Sequence, residues 1–405
     1  MTISSSPDLA LRAAGDALRL SVEQAGTGLV ERAALVETVA LAAVAGEHML
    51  VIGPPGTAKS EAVRRVARAI GGVYFEYLLG RFTEPSEIFG PVDLRRLREG
   101  VVETETAGML PEAEIAFLDE IFLGSTAILN TLLGLLNERV FRRGHTRIAS
   151  PLRLCVGAAN TIPEDESLAA FADRFLLRLF IDPIPDSRIE ELLVGGWSIG
   201  SAAPQPPLSS VADLDALSRA VATVDLSGVR PLIADAIRML RHAGIDLSDR
   251  RIVKLQKLVA AAAVLAGRRT AGESDLWPLI FAIPTREQQS VARETLRDLL
   301  QRTENHTLIA AAEEASSGPR ARALRIGRDG AALLDARPES DDQAVIHTWQ
   351  LKLEGIAREI DAAFLPETLP AELAEIRSRI AAALPSPSPA PILPAVGGEG
   401  QGEGG

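Results

Sequence analysis

The sequence predicts an α/β protein with a mainly parallel sheet, followed by helical domains. Short apolar runs alternate with amphipathic segments from about residue 29 to residue 183, as strands and helices do in a doubly wound sheet. After the Gly-, Pro- and Ser-rich stretch at 195–210 that alternation stops, and apolar residues recur every three or four positions, which is typical of helices. These two observations define the predicted fold class.

The same changes of pattern divide the chain into five predicted parts. They are an N-terminal helical segment (1–27), an α/β core (28–195), an all-α domain (205–283), a C-terminal helical domain (286–384) and a disordered tail (385–405). One apolar stripe in the C-terminal domain is expected to form ordinary core, with docking of a partner helix as the alternative. Its members are Ile346, Trp349, Leu353, Ile356, Ile360, Phe364, Leu373, Ile376 and Ile380. The segment 365–370 is predicted to be a turn between antiparallel helices.

Five apolar runs in the α/β core are predicted to be buried strands. They are bounded by Gly, Pro, Asn or Asp and read HMLVIG, VYFEYLL, IAFLD, LRLCVGAAN and LRLFID. Two further segments, 91–110 and 140–152, have Gly-centred turns between alternating residues. Both are therefore predicted to be hairpins that project from the sheet.

Composition and charge narrow the classes of partner. The 405 residues carry 42 basic and 54 acidic side chains, and the resulting net charge of −12 opposes attraction to nucleic acid, which is not an expected partner. The N-terminus lacks a basic stretch followed by an apolar one, and no apolar run approaches the roughly 20 residues of a membrane span. We therefore expect a soluble cytoplasmic protein whose lone cysteine, Cys155, lies in the core.

The segment VIGPPGTAKS (51–60) has the form of a phosphate-binding loop between a strand and a helix. In such a loop backbone N–H groups bind the anion, a lysine reaches the terminal phosphates and a hydroxyl ligates magnesium. Lys59 and Ser60 fit the last two roles, and the other loop residues are Gly53, Pro54, Pro55, Gly56, Thr57 and Ala58. Ala58 replaces a customary glycine, and we expect it to adopt a helical φ that tolerates a Cβ. A plain glycine-rich turn is the alternative.

Two acids follow the third predicted strand, where they would reach the carboxyl end of the sheet. Asp119 is expected to hold a metal and Glu120 to orient and deprotonate an attacking water, although two solvated acids would have the same pattern. Asn160 ends a further strand and could polarise that water or the γ-phosphate, or cap a helix. Arg174 and Arg178 could stabilise charge on a transferred phosphoryl group, or be exposed ion-paired arginines.

Together these residues resemble the AAA+ ATPase superfamily and, more narrowly, its MoxR family in the RavA-like branch. The segments that carry the resemblance are GPPGTAKS, FEYLLGRFTEPSEIFGP, GMLPEAEIAFLDEIF, AILNTLLGLLNERVFR, AANTIPE, DRFLLRLF and, more locally, GIDLSDRRIVKLQKL. The resemblance implies ATP and Mg²⁺ as cofactors, with Lys59 and Ser60 at the phosphates and the metal. It also implies that Asp119 and Glu120 form the Walker B pair.

For the remaining site residues, the resemblance implies that Asn160 is sensor 1 and that Arg174 is an arginine finger given to a neighbouring subunit. Arg250 would be the sensor 2 arginine of a helical lid at 205–283, with Arg251 as the alternative, and Arg178 is left open as an assistant of Arg174. The segments 91–110 and 140–152 would be the helix-2 insert and the presensor-1 hairpin.

The resemblance further implies a homo-oligomer, expected to be a hexameric ring, that uses ATP hydrolysis to remodel or load protein clients. A protein with a von Willebrand factor A domain is the expected partner. A chelatase-like subunit for metal insertion is an alternative that the sequence leaves open. A nucleic-acid motor is a further alternative, against which the negative charge argues.

Overall fold

The computed structural model describes residues 7–201, 206–303, 305, 307–338, 342–364 and 369–384. The chain forms two compact units, Met1–Arg322 and Ala323–Gly405, which are described separately below. The predicted tail at 385–405 and most of the predicted turn at 365–370 lie outside the described residues. Among the described helices, none combines the length and the apolar character that crossing a membrane requires. The boundaries of the five predicted parts stay predictions.

The strands of the first unit form one large and one small sheet. They are β1 (Met49–Ile52), β2 (Tyr74–Leu78), β3 (Ile115–Asp119), β4 (Val140–Arg143), β5 (Thr146–Ala149), β6 (Leu154–Ala159) and β7 (Leu177–Phe180). Five of them form a parallel sheet in the order β2-β3-β6-β1-β7, and β4 pairs antiparallel with β5. All five predicted strands are therefore present, but β2, at one side of the sheet, is half-buried to exposed and not buried as predicted.

Sixteen α-helices are seen in the described residues. They are α1 (Pro7–Gly26), α2 (Ala33–Ala45), α3 (Lys59–Ile70), α4 (Pro85–Phe89), α5 (Leu94–Arg98), α6 (Thr126–Glu138), α7 (Glu166–Ala172), α8 (Ile189–Ser201), α9 (Val211–Val221), α10 (Arg230–His242), α11 (Asp249–Leu265), α12 (Arg286–Thr295), α13 (Arg297–Leu300), α14 (Ile309–Asp335), α15 (Gln343–Ala363) and α16 (Ala371–Ala383). Short 3₁₀ turns lie at Leu110–Glu112, Ile121–Leu123, Asp186–Arg188, Glu273–Asp275 and Trp277–Ala282.

The central strands of the parallel sheet are buried because helices cover both of its faces. Side chains of α2, α3 and α11 pack with Val51 and Val156 on one face, while α6 packs with Leu50 and Cys155 on the other. Every residue of β1 and β6 is buried, which explains their continuous apolar sequences. Cys155 is fully buried in β6, and its predicted place in the core is confirmed.

The register sets the two ends of the strands at opposite edges of the sheet. Met49 pairs with Leu177 at the start of β1 and β7, and Ile52 pairs with Phe180 at their ends. We call the end of the sheet where the parallel strands begin the amino edge and the end where they finish the carboxyl edge. Since a strand rises about 3.3 Å per residue, strands of this length separate the two edges by roughly 10–16 Å. A side chain at one edge therefore cannot touch a group bound at the other.

Only one of the two predicted hairpins is present. Strands β4 and β5 form the hairpin expected within 140–152. The segment 91–110 instead contains the short helix α5 and a single antiparallel bridge between Val92 and Thr104. Asp93 starts that helix by accepting hydrogen bonds from the backbone N–H groups of Arg95 and Arg96. The hairpin prediction for 91–110 is wrong because an aspartate cap favoured a helical turn there.

In the second unit, the predicted apolar stripe forms a core between helices. Trp349, Leu353 and Ile360 of α15 pack with Leu373 and Ile380 of α16 in one buried cluster. Trp349 also donates a 2.8 Å hydrogen bond to the main-chain oxygen of Leu333. The interpretation of this stripe as ordinary core is therefore confirmed.

Candidate functional site

The loop at 53–58 joins the end of β1 to the start of α3, at the carboxyl edge. Gly53 extends β1, since its N–H donates to the main-chain oxygen of Ala159 at 3.0 Å. A Cβ on Gly53 would lie 2.5 Å from the main-chain oxygen of Ile181. Glycine is therefore required at this position by the close approach of the backbone beyond β7.

Lys59 turns back over the loop that precedes it. Its Nζ donates to the main-chain oxygens of Gly53 (2.7 Å) and Pro54 (2.9 Å), and the residue is only 6% exposed. Burial lowers the pKa of Lys59, while the charges of Asp119 and Glu120 oppose that change. The ammonium group thus lies inside the loop and close to both predicted acids.

Ala58 does not adopt the helical φ that the sequence analysis expected. Its φ is 59° and its ψ is 28°, in the left-handed region, as for Gly56 at φ 74°. The expectation was wrong because α3 begins one residue later, at Lys59, and the turn into the helix requires a positive φ. Since a Cβ disfavours this region, the backbone of Ala58 is strained at the end of the loop, where α3 begins.

Arg32 binds the loop through hydrogen bonds to the main chain, and the sequence patterns did not predict this role. The residue is 4% exposed; its Nε donates to the main-chain oxygen of Thr57 at 2.7 Å, and its Nη2 donates to that of Asp182 at 2.9 Å. Burial lowers the pKa of Arg32, with Glu31 and Asp182 opposing. A lone arginine before an apolar helix is a weak signal, because its partners are 25 and 150 residues away along the chain.

Three predicted polar residues meet at the carboxyl edge. Asn160 Nδ2 donates to Glu120 Oε1 at 2.7 Å, although the two residues are 40 positions apart. Asp119 ends β3, and its Oδ1 accepts a 3.0 Å hydrogen bond from the N–H of Glu120. The backbone of Glu120 is in the left-handed region, with φ 48°, directly after the end of β3. The structure thus brings Asp119, Glu120 and Asn160 together.

The chemistry of this edge fits a nucleoside triphosphate with Mg²⁺. Ser60 lies in the first turn of α3 beside Lys59, and Asp119 offers a carboxylate, so hard oxygen ligands are present. Within the described residues, no group of three or more His, Cys, Asp or Glu side chains could hold a metal. Mg²⁺ is usually bound through one or two carboxylates together with substrate phosphates, and Asp119 supplies such a carboxylate.

Arg174 lies at the amino edge, away from these groups. It precedes β7, whose first residue, Leu177, donates its N–H to the main-chain oxygen of His48 just before β1. Arg174 is half-buried, and its buried Nε has no hydrogen-bond acceptor among the residues that the structure describes. One sheet length therefore separates Arg174 from Glu120 of the same chain.

Arg178 is a structural residue and not the exposed arginine considered as an alternative. It is 5% exposed within β7, and its Nη1 donates to the main-chain oxygen of Pro284 at 2.8 Å. Burial, together with the nearby charge of Arg251, lowers the pKa of Arg178 to about 9. The structure therefore does not place Arg178 where it could assist Arg174.

Arg250 also lies at the amino edge. Its Nη2 donates to Asn137 Oδ1. The main-chain oxygen of Leu136, the residue before Asn137, accepts a 3.0 Å hydrogen bond from the His48 ring. This contact fixes the C-terminal end of α6 beside the start of β1. Arg250 is thus near the edge that carries Arg174, and the structure does not bring it to the loop of its own chain.

Arg251, the alternative sensor 2 residue, is enclosed and has all its contacts within the chain. It is 1% exposed. It forms an ion pair with Asp173 and donates to three main-chain oxygens, those of Phe175 (2.8 Å), Leu176 (2.9 Å) and Ala282 (3.1 Å). Its guanidinium is therefore unavailable to a nucleotide.

Comparison with known families identifies the chain. A family model described as the MoxR domain in the MoxR-vWA-beta-propeller ternary systems matches residues 16–219, and a model of the AAA lid domain matches residues 229–296. The chain belongs to the MoxR family of AAA+ ATPases. The predicted family and the fold class of an AAA+ core with an all-α lid are thus confirmed, whereas the RavA-like branch stays a prediction.

Relatives with known sequences agree with this MoxR assignment. Two uncharacterised proteins of Methanocaldococcus jannaschii are each 35% identical over 255 residues, or 63% of this chain and 68% and 66% of theirs. The protein named Chaperone MoxR1 of Mycobacterium tuberculosis is 28% identical over 228 residues. That alignment spans 55% of each of the two chains.

The fold of this MoxR-family ATPase also matches a solved structure. A crystal structure of a candidate ATPase from Cytophaga hutchinsonii superimposes with a TM-score of 0.59 and covers 73% of this chain and 97% of that one. Sequence identity is 15%, so the likeness concerns the fold alone. An AAA+ fold implies nucleotide binding, and the loop at 53–58 lies at the carboxyl edge, where open α/β sheets bind ligands.

Proposed function

We propose that this MoxR-family ATPase hydrolyses Mg²⁺-bound ATP at sites shared between neighbouring chains of a cytoplasmic ring, expected to be hexameric. The observation that carries the proposal is the division of polar groups between the two edges of the sheet. Lys59, Glu120 and Asn160 lie at the carboxyl edge, whereas Arg174 and Arg250 lie at the amino edge. Because the strands keep the two sets apart, a complete site needs both sets from adjacent chains.

Within one chain, the loop and the acids would do the work of binding and activating water. Backbone N–H groups of 53–60 would hold the phosphates, and Lys59 would exchange its loop carbonyls for phosphate oxygens. Glu120 would accept the proton of the attacking water, and the 2.7 Å hydrogen bond from Asn160 fixes the direction of its carboxylate. Mg²⁺ held by Ser60 and Asp119 would neutralise charge on the phosphate oxygens.

From the adjacent chain, Arg174 would stabilise the negative charge that develops on the transferred phosphoryl group. Its guanidinium is only half-buried and lies at the amino edge, which suits it to an anionic ligand from outside the chain. Arg250 would join it from the lid. Hydrolysis would then depend on assembly, since an isolated chain holds only half of each site.

We further propose that the ATPase remodels or loads protein clients together with a von Willebrand factor A domain partner. Two findings support this: the matched family model describes MoxR domains that occur in systems with such partners, and one relative is named a chaperone. The identity of the client is left to experiment. Nucleic acid is not a proposed partner, since the net charge of −12 opposes it.

Complementation between two defective variants tests the shared site. Arg174→Ala keeps an intact Glu120, and Glu120→Gln keeps an intact Arg174, so each alone should be inactive. Mixing them should restore ATP hydrolysis, because some junctions combine the intact base of one chain with the intact arginine of the next; random assortment in a ring predicts about one quarter of the wild-type rate. A mixture no more active than its parents would refute the shared site.

Capture with Glu120→Gln tests the partner. This variant should bind ATP without hydrolysing it, and it should therefore retain proteins that associate with the ATP state. Lys59→Ala, which should not hold the phosphates, is the matched control. Mass spectrometry should find a protein with a von Willebrand factor A domain in the first capture and not in the second; its equal recovery with both variants, or its absence from both, would contradict the proposal.

A further inference from the structure

Arg251 binds the chain on both sides of Arg174. Its Nε donates to Asp173 Oδ1 at 2.9 Å, and its two terminal nitrogens donate to the main-chain oxygens of Phe175 (2.8 Å) and Leu176 (2.9 Å). These partners flank Arg174 in the sequence, 75 to 78 positions before Arg251. A guanidinium has five donors in a rigid plane, so it fixes several acceptors relative to one another.

The same contacts fix Arg250. Ser248 caps α11, since its hydroxyl oxygen accepts a hydrogen bond from the N–H of Arg251. The same hydroxyl donates a 3.3 Å hydrogen bond to Asp173 Oδ2. Arg250 lies between these two anchoring residues, in the first turn of the helix. Asp173 therefore holds both the segment before Arg174 and the helical turn that carries Arg250.

Further along α11, a second ion cluster ties the lid helix to the amino edge. Glu47, two residues before β1, has a side chain that is 2% exposed, and it pairs with Lys254 (2.5 Å) and Lys257 (2.7 Å). Lys254 and Lys257 follow Arg251 by one and two helical turns. The lid helix is thus held at several points beside Arg174.

We propose that the pair Asp173 and Arg251 is a positioning device that holds Arg174 and Arg250 as one unit of two arginines facing the neighbouring chain. This inference rests on the proposed shared site and deepens it. Arg251 itself never touches the nucleotide. It sets where Arg174 lies, and it makes the finger and the lid respond together when the neighbouring chain binds or hydrolyses ATP.

The inference predicts that weakening the pair of Asp173 and Arg251 impairs the action of Arg174 in hydrolysis and leaves the binding of ATP unchanged. Asp173→Asn keeps the shape of the side chain but removes its charge, which weakens the hydrogen bond that it accepts from Arg251. A displacement of about 1 Å can cost on the order of 100-fold in rate, so we expect kcat to fall by about 100-fold while KM for ATP stays within about twofold. Arg251→Lys, which keeps the charge and loses the planar fork, should show the same split between kcat and KM.

Asp275→Asn is the matched control, since Asp275 is a fully buried partner of Arg268 in the lid and lies outside the proposed site. It should lower the thermal midpoint at least as much as Asp173→Asn and leave kcat unchanged. Circular dichroism and the thermal midpoint show whether Asp173→Asn folds. If it does not fold, Arg251→Lys is used for the same measurements of kcat and KM.

The deciding measurement is complementation. Mixing Asp173→Asn with Glu120→Gln should restore hydrolysis as well as mixing Arg174→Ala with Glu120→Gln does, because Asp173→Asn keeps its own loop and Glu120 intact. If Arg174→Ala is restored and folded Asp173→Asn is not, or if folded Asp173→Asn keeps the wild-type kcat, the positioning inference is overturned. If neither mixture gains activity, the shared site itself is wrong and the inference falls with it.

Discussion

Replacing Ala58 by glycine should stabilise the protein, which is the opposite of the usual effect of this substitution. Ala58 lies in the left-handed region at φ 59°. That conformation costs an L-residue about 1–2 kcal/mol. The greater freedom of glycine in the unfolded chain offsets about 0.4–1 kcal/mol of the relief. The difference predicts that Ala58→Gly raises the free energy of unfolding by about 1 kcal/mol.

Two controls separate backbone strain from a general effect of glycine. Ala13 is exposed within α1, where Ala13→Gly should lower the free energy of unfolding by about 1 kcal/mol. Gly46 has φ 65° and open space where a Cβ would lie, so Gly46→Ala should lower it by about 1 kcal/mol through strain alone. Ala58→Gly and Gly46→Ala therefore test the left-handed region with opposite changes, and Ala13→Gly gives the effect of glycine in a helix.

Thermal unfolding without nucleotide, followed by dye fluorescence, is a suitable assay. For a unit of this size, 1 kcal/mol corresponds to about 2 °C in the thermal midpoint, so Ala58→Gly should raise the midpoint by about 2 °C. An unchanged or lower midpoint for Ala58→Gly, with both controls behaving as expected, would refute the assignment of strain to Ala58.

Three further changes probe the site and the first unit. Asn160→Ala should lower kcat about 100-fold with little change in KM for ATP, because Glu120 loses the hydrogen bond that orients it; an unchanged kcat in steady-state assays would contradict this role. Arg32→Lys should raise KM about tenfold, since a lysine cannot bridge Thr57 to the end of β7, and equilibrium binding of ATP should weaken in parallel. Burial raises the pKa of Glu37 to about 7, above its value in the unfolded chain, so the stability that protonation contributes is lost as pH rises through about 7. Glu37→Gln should therefore match the wild-type thermal midpoint near pH 5 and exceed it near pH 8.

Local chemistry made the carboxyl edge predictable. The loop at 53–60 and the acids after β3 are contiguous in sequence because phosphate binding and metal binding need closely spaced groups on a strand end. Asn160 was predictable for a related reason, since parallel strands bring their carboxyl ends to one edge. These predictions needed only the periodicity of the strands.

Long-range contacts were not predictable from the same patterns. Arg32 and Arg251 have partners that lie far away in sequence, so no local spacing marks these two arginines as buried. Ala58 shows a different limit. Its residue type gave no warning of a left-handed φ, because the conformation is imposed by the turn that joins β1 to α3. Arg178 looked exposed by charge alone, and only the tertiary fold encloses it.

The single thiol of Cys155 offers a built-in reporter for the central sheet. Burial in β6 raises its pKa to about 12, so the thiolate needed for alkylation is scarce while the strand is in place. Its rate of labelling should therefore follow the opening of the sheet rather than the chemistry of the reagent. Because the sequence has no other cysteine, a second one introduced at a surface position would react alone, which leaves the folded protein ready for site-specific fluorophores.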